Sequence, residues 1–321
     1  MCGIGGFYRG SVGETPTTFI NNLWCSLEDR GTHAAGVVIG WADADKPISM
    51  KAAKQASICS EMLSKAKGHN TEYVLLHTRF TTQGSTKNNG NNHPVIGHGI
   101  TLTHNGVLSN DTHIFNKLKI NPLHDVDTEA INAALSVKSP KWMIENIQGS
   151  MSIAWVETDK SPDEVHLLTN GRNPLVIGRT MDNHVIWAST KTHLETSGFD
   201  FKDIFSAVPY KQYTISKGGR IKSKFISKNR TYPANNRQIH SSQFDDSFYR
   251  DFTQTHKKSK KTSKKASIPK KTVKPQDETE WVEVPSFLIG KLESIARDNG
   301  YQLAYDSFGN KKFVDTWEEW L

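Results

Sequence analysis

The second residue is a cysteine, and its position matters more than its type. Removal of Met1 ahead of a small side chain would leave Cys2 carrying both a thiol and a free α-amino group. One residue then supplies nucleophile and base. The thiolate attacks, an ordinary thiol titrates near pKa ~8.5 and an α-amino group near ~8, and a proton passes between them close to neutral pH. For the dipeptide alone, a chance cysteine is the better reading. Four other residues could complete such chemistry. Arg79 can fork two hydrogen bonds onto a carboxylate, and Asp127 can take an ammonium. Asn105 offers a side-chain amide and Gly106 a backbone N–H with no Cβ to obstruct approach, a pair suited to a developing oxyanion. Each also has a plain alternative: Asn-Gly as a tight turn, Arg79 as a surface arginine, Asp127 as a helix cap.

Elements that could position these residues are legible in the first two thirds of the chain. Tyr73 to Leu76, Ile100 to Leu102, Met151 to Val156, Val165 to Leu168 and Leu175 to Ile177 read as strands. Phe19, Ile20, Leu23, Trp24 and Leu27 fall at helical spacing after a Thr-Pro start. Asp127 stands where it would cap a helix containing Ile131, Leu135 and Val137. Strands mixed with helices in this proportion predict packed sheets with helices outside. Trp142, Trp155 and Trp187 read as core, and Cys25 and Cys59 as buried thiols within helices.

Composition bounds the rest. The 321 residues include 36% hydrophobic ones, mean hydropathy is −0.55, and no apolar run approaches the ~20 residues of a membrane span. Residues 1–10 lack the charged and apolar parts of a secretory signal, and three cysteines make neither a disulfide framework nor a CxxC zinc site. A cytoplasmic setting is expected. His69, His93, His98 and His124 show no metal-ligand repeat, so neither metal nor cofactor is expected. Between Lys217 and Lys274, 17 Lys and Arg stand against three acids, a balance of +14, which leaves −7 for the remainder of a chain of formal charge +7. Residues 217–280 therefore read as a basic, disordered linker. Its Lys257 to Lys274 run could contact nucleic acid by releasing counterions from phosphate. Residues 281–321 turn apolar again, with Phe287, Leu288, Leu292, Ile295 and Ala296 at helical spacing. Tyr301 to Trp317 then surrounds a Phe-Gly-Asn turn, which reads as a small docking module.

Taken in order, the motifs resemble those of the class II glutamine amidotransferases, an N-terminal-nucleophile hydrolase family. Met1-Cys2-Gly3-Ile4-Gly5-Gly6 is similar to the family's opening. Leu27 to Gly36, with Arg30-Gly31, is similar to its Arg-Gly segment. His77-Thr78-Arg79-Phe80-Thr81-Thr82-Gln83-Gly84 is similar to its His-Thr-Arg-Trp segment. Asn92-His93-Pro94, His104-Asn105-Gly106 and Asp127-Thr128-Glu129 follow in order. The resemblance covers residues 1 to about 210. It implies an α+β fold, a four-layer αββα sandwich of two stacked, mainly antiparallel sheets, within residues 1–216. It also implies hydrolysis of glutamine to glutamate and ammonia through a Cys2 thioester. Cys2, Asn105 and Gly106 would be catalytic, and Arg79, Asp127, Thr82, Gly84 and Arg30 would bind substrate. Phe80, Gln83 and His33 depart from the family's usual Trp, His and Asp.

Neither a P-loop nor a Ser-Gly-Gly pyrophosphatase stretch follows residue 216. The expected partner is therefore a separate ammonia-accepting synthase, by resemblance one serving nucleotide or DNA modification. Two other readings stand beside it: a hydrolase of γ-glutamyl or other small amides without transfer, and an inactive amidotransferase-fold protein that binds nucleic acid.

Overall fold

The computed structural model describes residues 1–226 apart from Asp45 and His69, together with the backbone of 301–305 and 311–315. The elements run β1 (Gly3–Tyr8), α1 (Thr17–Ser26), β2 (Ala34–Trp41), β3 (Ile48–Ala52), β4 (Thr71–Arg79), β5 (Val95–Gly97), β6 (Ile100–Leu108), α2 (Asp111–Leu118), α3 (Thr128–Val137) and α4 (Pro140–Asn146). They continue with β7 (Gly149–Glu157), β8 (Ser161–Thr169), β9 (Val176–Thr180), β10 (Val185–Ala188), α5 (Lys191–Thr196), β11 (Phe201–Ser206), β12 (Lys211–Ser216) and β13 (Arg220–Phe225). One sheet has the order β11-β9-β10-β1-β4-β2-β3 and the other β13-β12-β8-β7-β6-β5. Every pairing is antiparallel.

The two-residue period of the strands sorts side chains into layers. On β4, Val74 and Leu76 pack with Leu23 and Trp24 of α1 on one face of the first sheet, whereas Leu75 joins Ala154, Leu167 and Tyr213 between the sheets. A third cluster places Ile100, Leu102 and Ile153 against Ile114, Ile131 and Met143 of α2, α3 and α4. The order is helix, sheet, sheet, helix, as expected. β4 is buried along its whole length because both faces are covered, which is why it reads as a continuous apolar run. Trp155 and Trp187 are core residues, and Trp142 is half-buried beneath Lys117 and Lys138.

Three expectations are revised. The domain does not stop at residue 216, because β13 pairs with β12 from Ser216↔Arg220 to Lys211↔Phe225. This edge strand is almost wholly exposed and rich in Lys and Arg, so its composition passes for linker. Cys59 lies between short 3-10 turns (Ala56–Ile58 and Ser60–Ala66) rather than inside a helix. Asp127 precedes α3 but its carboxylate does not cap it. The chain divides into two compact units, Met1–Gln243 and Phe244–Leu321. In the second, β14 (Tyr301–Tyr305) and β15 (Lys311–Asp315) pair antiparallel, with Tyr301 opposite Asp315, while the Phe-Gly-Asn turn expected between them lies outside the described residues. The helix expected at 287–296 and the Lys257 to Lys274 run lie outside the described residues. Among the described residues no helix is long and apolar enough to cross a membrane, and no His, Cys, Asp and Glu cluster could hold a metal.

Candidate active site

Strand parity brings the candidate residues together. Cys2 precedes β1 in phase with Ile4 and Tyr8, which point between the sheets, and Arg79 ends β4 in phase with Leu75 on the same side. On β6, Ile100, Leu102 and Leu108 face the helices, so Asn105 faces inward toward the first sheet. Gly3 pairs with Thr78, fixing Cys2 beside Arg79.

Asp127 is tied to the same place from the other side. Its Oδ2 accepts the Leu108 N–H at 2.6 Å, which holds the start of α3 two residues beyond Gly106. Asp127 is close enough to act on the ionisation of Cys2 and Arg79. Burial pushes the Cys2 thiol up, the terminal ammonium and Arg79 pull it back, and Asp127 adds to the rise. Burial lowers Arg79, against the attraction of Cys2 and Asp127. The Cys2 thiol donates to the Phe80 carbonyl at 3.6 Å.

Asn105 is 1% exposed, and neither its Nδ2 nor its Oδ1 has a hydrogen-bond partner among the described residues. A buried amide left without partners costs roughly 1–3 kcal/mol, so structural need does not account for it. Its main chain, by contrast, is anchored: Asn105 O accepts from Asn173 Nδ2 at 2.7 Å. Asn173 O in turn accepts from Ser152 Oγ at 2.8 Å and Thr169 Oγ1 at 3.0 Å. Sequence reasoning missed Asn173, since nothing local marks an asparagine in a loop 68 residues away as a brace for Asn105.

Arg79 differs from the simple fork expected of it. Nη1 donates to Asn92 Oδ1 at 2.7 Å, and Nη2 donates to Gly84 O at 3.0 Å and to Gln83 O. Three of its five donors are thus spent on orientation, and two remain for a ligand. Asn92 is itself fully buried, donating to Thr86 O at 2.9 Å and Asn89 Oδ1 at 3.0 Å. Lys51 caps the arrangement by donating to Asn92 O at 2.8 Å and Pro94 O at 3.0 Å, and burial lowers it to about 8.

Arg30 is half-buried, and its Nε donates to Cys2 O at 3.0 Å. This contact holds the backbone of Cys2. Gly31 follows because a Cβ there would lie 2.4 Å from the Arg79 carbonyl carbon. Gly84 enters through its carbonyl on Arg79, and Thr82 is exposed on the same loop. Two departures from the family pattern touch each other: the His33 ring stacks on Phe80 at 4.8 Å, and His33 Nδ1 accepts the Thr81 N–H at 3.0 Å. Gln83 Nε2 reaches Asp111 Oδ2 at 3.3 Å.

Residues 77–196 match the family model of the glutamine amidotransferase domain. The chain is 27% identical over 197 residues to glutamine–fructose-6-phosphate aminotransferase of Corynebacterium efficiens, covering 56% of this chain and 31% of that one. It is 26% identical over 152 residues to 7-cyano-7-deazaguanine synthase of Sulfolobus acidocaldarius, covering 44% and 32%. The match thus spans about a third of each relative's length. Among solved structures, the glutamine phosphoribosylpyrophosphate amidotransferase of B. subtilis superposes with a TM-score of 0.58 at 22% identity, covering 71% of this chain and 50% of that one, a likeness of fold.

Proposed function

Because the chain carries a class II glutamine amidotransferase domain of N-terminal-nucleophile hydrolase fold, we propose that it hydrolyses glutamine to glutamate and ammonia through a Cys2 thioester. The observation that carries this reading is Asn105, a buried amide with both polar atoms unused, on the inward face of β6 opposite the sheet that holds Cys2 and Arg79. With Met1 removed, the α-amino group of Cys2 takes the thiol proton and later protonates the leaving amide nitrogen. Attack on the side-chain carbonyl builds an oxyanion, which Asn105 Nδ2 and the Gly106 N–H receive. The remaining donors of Arg79 hold the α-carboxylate, and Asp127 holds the α-ammonium. Water then cleaves the thioester.

The ammonia passes to an acceptor enzyme in this reading, one acting on a nucleotide or nucleic acid. A relative named 7-cyano-7-deazaguanine synthase and the basic 217–274 segment support that direction. Isotope-labelled glutamine decides the first step: labelled ammonia and glutamate should appear with the wild-type chain and vanish with Cys2→Ala, a loss of at least about a thousandfold. Intact mass should show a chain beginning at Cys2. Undiminished hydrolysis by Cys2→Ala, or full activity with Met1 retained, would sink the assignment. Native purification followed by mass spectrometry should recover an ammonia-consuming enzyme.

A further inference from the structure

Behind the candidate site lies a buried cluster that joins its separate segments. His77 stands two residues before Arg79, His93 follows Asn92, His104 precedes Asn105, and Thr128 follows Asp127. All four are at most 5% exposed, and the rings of His77 and His93 stack at 4.1 Å with an interplanar angle of 14°. Thr128 Oγ1 lies 2.9 Å from His104 Nδ1 and 2.9 Å from His93 Nε2.

Proton bookkeeping gives this cluster a direction. A carbonyl oxygen only accepts, so His77 Nε2, 3.0 Å from His104 O, carries a proton, as does His104 Nε2, 3.3 Å from Ser150 O. Burial holds the imidazoles neutral: His77 is pulled down to about 3, His93 falls well below its ordinary value, and His104 is lowered although Asp127 and the Ser150 carbonyl oppose it. A neutral ring with its proton on Nε2 has a bare Nδ1, so the Thr128 hydroxyl donates to His104 Nδ1. Thr128 Oγ1 then accepts from His93 Nε2–H. The assignment leaves the Nδ1 atoms of His77 and His93 as lone pairs, and both are without a partner among the described residues. Gly106 belongs to the same scheme, since a Cβ there would come within 2.4 Å of His104 Nε2 and 2.0 Å of Ser150 O, where the last hydrogen bond of the chain lies.

Thr128 has one proton and two neighbours that could take it, His104 Nδ1 at 2.9 Å and Asp127 Oδ1 at 3.4 Å. We infer that His93, Thr128 and His104 form a polarity lock that commits the Thr128 proton to His104 and so keeps Asp127 Oδ1 open for a cationic group of the substrate. Were the His104 proton on Nδ1, the Thr128 hydroxyl would turn to Asp127 and occupy that oxygen. These are positioning residues. The nature of the cation, an α-ammonium, rests on the glutamine reading above; the proton assignment does not.

The test has two arms. In the full chain carrying ¹⁵N-histidine, NMR should show His77, His93 and His104 each protonated on Nε2 and bare on Nδ1, with no substrate present. A proton on His104 Nδ1 overturns the lock. In the second arm, Thr128→Ser keeps the hydroxyl and should stay within about twofold of wild type in the KM for glutamine. Thr128→Val strands a buried His93 N–H, whose relief displaces Asp127, and KM should rise about tenfold or more. Equal KM for the two variants at matched thermal stability also overturns it. If Thr128→Val fails to fold, the wild-type tautomers still decide. A wild-type chain inactive on glutamine but showing the Nε2 pattern would remove the functional reading and leave the lock standing.

Discussion

Behind Cys2, His77, His93, His104, Thr128 and Asn92 are buried and exchange hydrogen bonds across β4, the Asn92 loop, β6 and α3. In front of it, His33, Phe80, Thr82 and Gln83 are exposed and held by a ring stack, one N–H to His33 and a long contact to Asp111. Burial explains the contrast. A polar group sealed from water must be partnered or costs about 1–3 kcal/mol, so the floor of the site tolerates few arrangements. At the rim water replaces any lost partner, so the residues can vary and move. The three departures from the family pattern, His33, Phe80 and Gln83, all lie at the rim.

The comparison predicts where substitutions hurt. Asn105→Ala strikes the floor at its one unused amide and should lower kcat about 10²–10³-fold with little change in KM, since an oxyanion donor acts chiefly on the transition state. A steady-state glutaminase assay checks this, and a dominant KM effect would move Asn105 from oxyanion to substrate binding. Arg79→Lys and Asn92→Ala should each raise the glutamine KM roughly ten- to a hundredfold. The first loses the guanidinium geometry, and the second leaves that geometry unheld. Unchanged KM in Asn92→Ala would mean that Gln83 O and Gly84 O suffice to aim Arg79.

Stability should report the floor as well. His77 is held down to about 3 and His166, on the outer face of the second sheet beside Thr214, to about 4. Both are bases whose folded pKa lies below the ordinary 6.5, so the unfolded chain binds protons first. Their contribution is complete above pH about 6.5 and is lost as pH falls toward 4 and then 3, at about 1.4 kcal/mol per pH unit per histidine. Urea midpoints should fall from pH 6.5 to 5. A midpoint that rises in that interval would contradict neutral buried histidines. The smallest effect belongs to the rim: His33→Ala removes the stack on Phe80 and the acceptor for Thr81 N–H, and should change the glutamine KM only about two- to fivefold, with unaltered thermal stability. A larger loss would place the rim on the same footing as the floor.

Much of the site is legible along the chain because its parts are local signatures: a cysteine after Met1, an Asn-Gly pair, an arginine ending an apolar run, an aspartate opening a helix. The αββα layering was implied by the family resemblance, and the unbroken apolar run Val74-Leu75-Leu76 fits a strand covered on both faces. The sequence by itself determined the kinds of groups available and their order along the chain; that β1, β4 and β6 extend far enough to turn Cys2, Arg79 and Asn105 inward was decided by the structure.

Only the tertiary structure decided what those groups do with their hydrogen bonds. Asp127 reads as a cap until its carboxylate is seen on Leu108 N–H; Arg79 reads as a two-pronged fork until three donors are found committed. Arg30 gives no hint along the chain of its bond to the Cys2 carbonyl, and β13 reads as linker until it pairs with β12. Asn173, 68 residues from Asn105, and the histidine pairings around Thr128 have no local signal at all. The physical reason is that spacing encodes which side a residue faces. Hydrogen-bond partners, and the proton each imidazole keeps, are set by chain segments that meet only after the sheets have stacked.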